Sequence, residues 1–167
     1  MTENTNKEGQ QRLNPFFQPY NTPHETVPFD KITLADYEEA MLEGIRREDE
    51  QIEKTINDPE EPIFENTLIR EDEVEGRKHY YDLLSRVESA FFNMVSAETN
   101  DEMDALAQKM SPILTKHANN ISLNPKLFER IKAVHEKHRE LTPEESKLLE
   151  ESYDGFVRSG ALLNETD

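Results

Sequence analysis

The stretch Thr33–Ile56, TLADYEEAMLEGIRREDEQIEKTI, decides the fold class. Leu34, Tyr37, Met41, Ile45, Ile52 and Ile56 recur at steps of 3, 4, 4, 7 and 4. That is the spacing of one face of an α-helix. Glu38, Glu39, Glu43, Arg46, Arg47, Glu50 and Lys54 fall on the opposite, solvated face. Thr33 is placed to cap the first turn, and Asp36 three residues on resembles the second half of a capping box. Asn57-Asp58-Pro59 and then Pro62 stop the helix.

The same reading extends C-terminally. Asn66 is the next candidate cap, and Tyr80, Leu83, Leu84, Val87, Phe91, Met94 and Val95 keep helical spacing beyond it. Between them, Ile69 to His79 is almost entirely charged and contains Gly76; either a helix runs through it or it loops out. Asn100 caps a third helix with Met103, Leu106, Met110, Ile113, Leu114, His117 and Ile121 as its stripe. Pro112 lies inside that helix and predicts a kink or break near Ser111. Asn124-Pro125 opens a fourth helix carrying Leu127, Phe128, Ile131, Val134, His138 and Leu141. Thr142-Pro143-Glu144-Glu145 opens a fifth, lined by Leu148, Leu149, Tyr153, Phe156 and Val157, with Gly160 as its stop. No segment alternates with period two, and no repeat of solenoid length is visible. The expectation is an all-α chain of about five amphipathic helices in an irregular bundle.

The N-terminal part differs. Residues 1–12 are polar and without an apolar face, which predicts a disordered tail. Residues 13–32 carry Pro15, Pro19, Pro23 and Pro28, which forbid a regular helix, together with Phe16, Phe17, Tyr20 and Phe29. This reads as an extended arm that buries its rings on a surface. Residues 33–167 then form the helical domain.

Composition narrows the function. The 167 residues hold 19 Lys and Arg against 36 Asp and Glu, a formal net charge of −17. A nucleic-acid partner needs a basic footprint, and an anionic membrane surface needs the same. No run of about 20 apolar residues is present to span a bilayer. With no Cys, disulfides, thiolate zinc sites and thiol nucleophiles are all excluded. Met1 to Gln11 has no apolar signal core, so the expected location is cytoplasmic.

No catalytic constellation emerges. His135-Glu136-Lys137-His138 resembles the H-E-x-x-H zinc helix, but its histidines are three apart rather than four. The runs Glu48-Asp49-Glu50, Asp58-Glu60-Glu61 and Glu71-Asp72-Glu73-Glu75 lack the calcium-loop pattern and read as solvated faces. There is no G-x-S-x-G elbow, no P-loop and no G-x-G-x-x-G. The catalytic, cofactor and metal residues expected in this chain are therefore none.

Several blocks nevertheless carry a resemblance. Asn21-Thr22-Pro23, Val27-Pro28-Phe29-Asp30-Lys31-Ile32, Glu61-Pro62-Ile63-Phe64-Glu65-Asn66-Thr67, the stretch AFFNMVSAETND at 90–101 and the stretch FVRSGALL at 156–163 follow in order. Between them stand Ser111-Pro112-Ile113-Leu114 and Leu123-Asn124-Pro125-Lys126-Leu127-Phe128. Together they resemble the N-terminal region of bacterial peptidyl-dipeptidases, also called dipeptidyl carboxypeptidases, zinc metallopeptidases of the thimet oligopeptidase family. The resemblance spans residues 14 to 165. It implies a large all-helical parent whose zinc motif lies far C-terminal to the matched part. It also implies that the matched part helps wall a channel restricting substrates to short peptides. No position here matches the family's zinc ligands, so none carries over; zinc is implied for the parent alone. Around Ile69 to Tyr81 the chain is longer than the family pattern and reads as an insertion or a replaced segment.

Two functions follow. One is the N-terminal part of a peptidase that removes C-terminal dipeptides, inactive alone and partnered by its catalytic part. The other is a free-standing acidic helical module that binds a partner protein.

Overall fold

The computed structural model describes residues 12–69, 72–74, 77–79, 83–137 and 140–162, with the backbone alone described for 72–74 and 77–79. The fold is all-α. Its helices are α1 (Leu34–Ile56), α2 (Phe64–Thr67), α3 (Leu83–Ala97), α4 (Asp101–Ser122), α5 (Pro125–Lys137) and α6 (Pro143–Arg158). Short strands β1 (Asp72–Val74) and β2 (Arg77–His79) pair antiparallel between α2 and α3.

The capping signals are realised. Thr33 Oγ1 accepts from the Asp36 N–H at 3.3 Å, and Asp36 Oδ2 accepts from the Thr33 N–H at 2.6 Å. Asn100 Oδ1 accepts from the Glu102 and Met103 N–H groups. Asn124 Oδ1 accepts from Leu127. Thr142 and Glu145 form a second reciprocal box. Past the end of α6, Gly160 sits at φ 97°. Its N–H bonds to Val157 O and that of Ala161 to Phe156 O, the paired bonds of a Schellman stop.

Four details correct the sequence reading. Asn66 does not cap a long helix: it lies inside α2 and accepts from the Ile63 N–H at 2.9 Å. Within the charged run after Ile69, residues 72–74 and 77–79 pair as short antiparallel strands rather than forming a helix. The run offers no apolar stripe to hold a helix against a core, and Gly76 costs a helix about 1 kcal/mol. α4 runs unbroken through Pro112. Gln108, whose carbonyl Pro112 leaves without its helical donor, is exposed, as is Pro112, so water can satisfy it. Ser111 Oγ meanwhile donates to Ala107 O at 2.7 Å. Finally, Ile113 and Phe29 are exposed rather than packed, and His138 lies outside the described residues.

The buried side chains form two cores. The first joins Phe16, Tyr37, Met41, Leu83, Val87, Phe91 and Met110. The second joins Ile52, Phe64, Phe128, Ile131, Leu149 and Phe156. α1 supplies buried side chains to both, and α4 adds the half-buried Ile121 to the second: the 23 residues of α1 run about 34 Å, long enough to cross from one core to the other. Midway lies Gly44. A Cβ there would stand 2.8 Å from the Leu84 Cα, so α1 and α3 touch backbone to backbone.

The arm contains three 3₁₀ turns, Pro15–Phe17, Pro23–Glu25 and Phe29–Lys31, and docks on the first core through the first of them; the other two are exposed. Phe16 is fully buried, with its ring 5.3 Å from Tyr37, which is 5.1 Å from Phe91. Phe17, Tyr20 and Val27 pack around them. Arg12 holds the arm's start by two bonds to the buried Asp36 carboxylate, at 2.8 and 2.7 Å, and a further one to Lys31 O. Asn14 Nδ2 reaches Asp36 O at 3.0 Å. Asp36 thus serves the helix cap and the arm together. Burial pushes its carboxyl pKa upward, but bonds from Arg12 and Thr33 outweigh this and hold it down at about 2.

Two outcomes test this packing. Gly44→Ala should destabilise by about 1–3 kcal/mol in urea melts, because Leu84 backbone cannot yield, despite the better helix propensity of Ala. For Asp36 the folded-state pKa is depressed, so its contribution is present above the unfolded carboxylate value near 3.8 and is lost as pH falls toward 2. Asp36→Asn should flatten the stability profile over that window and lower stability at neutral pH, as read by thermal melts across pH.

Candidate functional site

Where the two cores meet, the packing leaves an open cleft of about 580 Å³ lined by residues of all six helices, mostly α4 and α6. Leu84 and Leu114 form one wall, Ile131 and Phe156 the other. Leu148 stands 44 % exposed at the lip. Gly155 of α6 lines the cleft with no side chain, and nothing lies within 4 Å of where its Cβ would be. The charged residues of the lining are Glu48, Glu88 and Glu151; no Lys or Arg lines it.

At one end His117 bridges α4 to α1. Its Nε2 lies 2.9 Å from Glu48 Oε2 and its Nδ1 3.3 Å from Asp49 Oδ1. His117 is 6 % exposed and Glu48 little more, whereas Asp49 faces solvent. Helical spacing placed His117 on the apolar stripe of α4 correctly, but its partner sits 69 residues away and no local pattern points to it. The Glu48-Asp49-Glu50 run is therefore only partly a solvated face.

The other candidates serve structure. His135 stacks on Tyr153 at 4.1 Å between ring centres. Asp58 and Glu60 offer their backbone carbonyls to the Arg130 Nη1, at 2.9 and 3.5 Å, and the Asp58 carboxylate lies 3.6 Å from Nη2. Arg130 is 8 % exposed and clamps the turn after α1 onto α5. This buried cation was not singled out by sequence, since an Arg between Phe128 and Ile131 carries no distinguishing signal. Glu61 takes an exposed bond from Lys137 at 2.6 Å. Of the third acidic run, side chains lie outside the described residues. Among the described residues no group of three or more His, Cys, Asp or Glu is arranged to hold a metal. The donors present do not fit a peptidase zinc: His117 already lies against two carboxylates and His135 is stacked on a ring.

No protein-family profile matches the chain. Comparison with curated proteins is more informative. Over 156 residues, 92 % of its length, the chain is 36 % identical to the dipeptidyl carboxypeptidase of Salmonella typhimurium. This chain resembles the N-terminal region of a bacterial dipeptidyl carboxypeptidase. Over 157 residues, 93 % of the chain, it is 34 % identical to the dipeptidyl carboxypeptidase of Escherichia coli. The chain spans about a fifth of the length of these curated relatives, 22 % in each case. The likeness to dipeptidyl carboxypeptidases thus covers nearly all the helices described above. Among the described residues, no helix is long and apolar enough to cross a membrane.

The His117 bridge is open to test. His117→Ala should cost about 1–3 kcal/mol by leaving the Glu48 carboxylate buried beside an unfilled gap. Asp49→Asn, at the exposed side, should cost no more than about 0.5 kcal/mol in the same denaturant titration.

Proposed function

We propose that this chain is the N-terminal, channel-wall part of a zinc metallopeptidase that removes dipeptides from the C-terminus of short peptides. The observation that carries this reading is identity of 34–36 % sustained over more than nine-tenths of the chain, against 22 % of each dipeptidyl carboxypeptidase. In this reading the chain supplies shape and no chemistry. Neither H-E-x-x-H nor a matching set of ligands occurs in the sequence, so the zinc that would polarise a peptide carbonyl and activate water belongs to the remaining four-fifths. Its own residues form a two-core helical body. A wall of that kind excludes folded proteins by size and admits extended peptides. Its natural partner is the catalytic part, its compartment the cytoplasm, and neither nucleic acid nor membrane is engaged.

The decisive measurement is direct. The purified chain, incubated with an N-blocked tetrapeptide and added zinc, should release no dipeptide above buffer by chromatography. Reading the coding sequence onward from Asp167 should meet an H-E-x-x-H motif in the same frame. Robust dipeptide release by this chain would overturn its assignment as a non-catalytic part.

A further inference from the structure

We propose that Arg86 of α3 and Tyr20 of the arm form a binding site for a carboxylate at the edge of the first core. The site stands on this chain's own residues and is independent of the peptidase reading above.

Arg86 lies three residues after Leu83 and four before Ala90, both buried. It is itself half-buried. Its Nε and Nη2 are covered, and neither has a hydrogen-bond partner among the described residues. These two atoms are the parallel donors on one edge of the planar guanidinium, an edge that grips both oxygens of a carboxylate. Tyr20 Oη is buried and unpartnered in the same way. Its ring packs on the first core and meets Phe16 edge-on, 6.4 Å between ring centres. Burial pushes the Tyr20 hydroxyl pKa up and the Arg86 charge pulls against it, so the two groups are electrostatic neighbours. Three empty donors thus share one locality.

Arg130 shows how the same fold treats a buried guanidinium that serves structure. Its Nη1 donates to Asp58 O and Glu60 O, and its Nη2 lies 3.6 Å from the Asp58 carboxylate. The Arg86 edge meets no such acceptor, in a chain with 36 Asp and Glu against 19 Lys and Arg. Leaving a charged donor dry costs more than leaving a neutral one, and native structures rarely do so. A carboxylate fills the edge and balances the charge with one group. A water would satisfy donors but leave the charge unbalanced beside an apolar core. A sulfate or phosphate would bring more oxygens than three donors meet, and its second charge would be repelled by the acidic chain. Since Arg86 is half-buried, a turn of its long side chain opens the edge to the ligand.

The test is a set of thermal melts on the whole chain at fixed ionic strength, with sodium chloride replaced stepwise by sodium formate. A parallel series uses the blocked tripeptide acetyl-Gly-Asp-Gly-amide, whose only carboxylate is a side chain, and another uses sulfate. Formate should raise the melting midpoint saturably, by about 3 °C for a chain of this size. Arg86→Met and Tyr20→Phe should each lose at least half of that rise. Arg86→Lys, which keeps the charge but not the paired donors, should lose it as well. Without carboxylate, Arg86→Met and Tyr20→Phe should melt no lower than the parent chain, because each removes a polar group that has no partner. Stabilisation by formate alone assigns the site to a small free carboxylate. Stabilisation by the Asp tripeptide too assigns it to an Asp or Glu side chain from outside the site.

No saturable rise with either carboxylate would overturn the proposal. So would an equal rise in Arg86→Met, which reduces the effect to bulk salt, or an equal rise with sulfate, which reduces it to charge alone. A midpoint for Arg86→Met several degrees below the parent in chloride would show that the chain already pairs this guanidinium, and would overturn it too.

Discussion

The close crossing of α1 and α3 at Gly44 is the constraint on which the rest of the molecule depends. A Cβ at that position would meet the Leu84 backbone at 2.8 Å, so only glycine lets the two helices lie this near. The approach brings Tyr37 and Met41 onto Leu83, Val87 and Phe91 and closes the first core. It also sets the direction in which the remainder of α1 leaves that core. Ile52 then reaches the second core, where α5 and α6 pack. A small shift at the crossing would be felt at both ends, since packed interiors transmit displacement rather than absorb it.

Polar contacts at the two ends of α1 complement that crossing. At its start, Asp36 binds the Thr33 backbone, the Thr33 hydroxyl and Arg12 together, so capping the helix and seating the arm are one event. Further along, Glu48 meets His117 and ties α1 to α4. Beyond its end, Arg130 gathers the carbonyls of Asp58 and Glu60 and ties the following turn to α5. These contacts join segments 24 to 72 residues apart, and each involves a buried or half-buried charge whose removal would strand its partner. The high negative charge of the chain is thus not all exterior. A few carboxylates are spent inside as fasteners, while exposed pairs such as Arg46 with Glu43 and Glu50 add little beyond local order.

The cleft follows from having two cores instead of one. Helices that pack into two separate centres leave their junction incompletely filled, and here it stays apolar within an acidic surround.

Local sequence determined the elements. The apolar periodicity of Leu34, Tyr37 and Met41, the Thr33–Asp36 and Thr142–Glu145 boxes, the Asn100 and Asn124 caps and the Gly160 stop all act within a few residues, where hydrogen-bond geometry and helical pitch are set by neighbours. The likeness to dipeptidyl carboxypeptidases was also legible in residue order. Long-range pairing decided the rest. That Gly44 would mark a crossing, that His117 would find Glu48, that Arg130 would be a buried clamp, and that Pro112 would face water and leave α4 intact depended on which faces came together. The same holds for the cleft, whose lining is drawn from six helices and exists only once they are packed. Sequence spacing specifies a helix face because pitch is fixed, but it carries no record of what that face will meet.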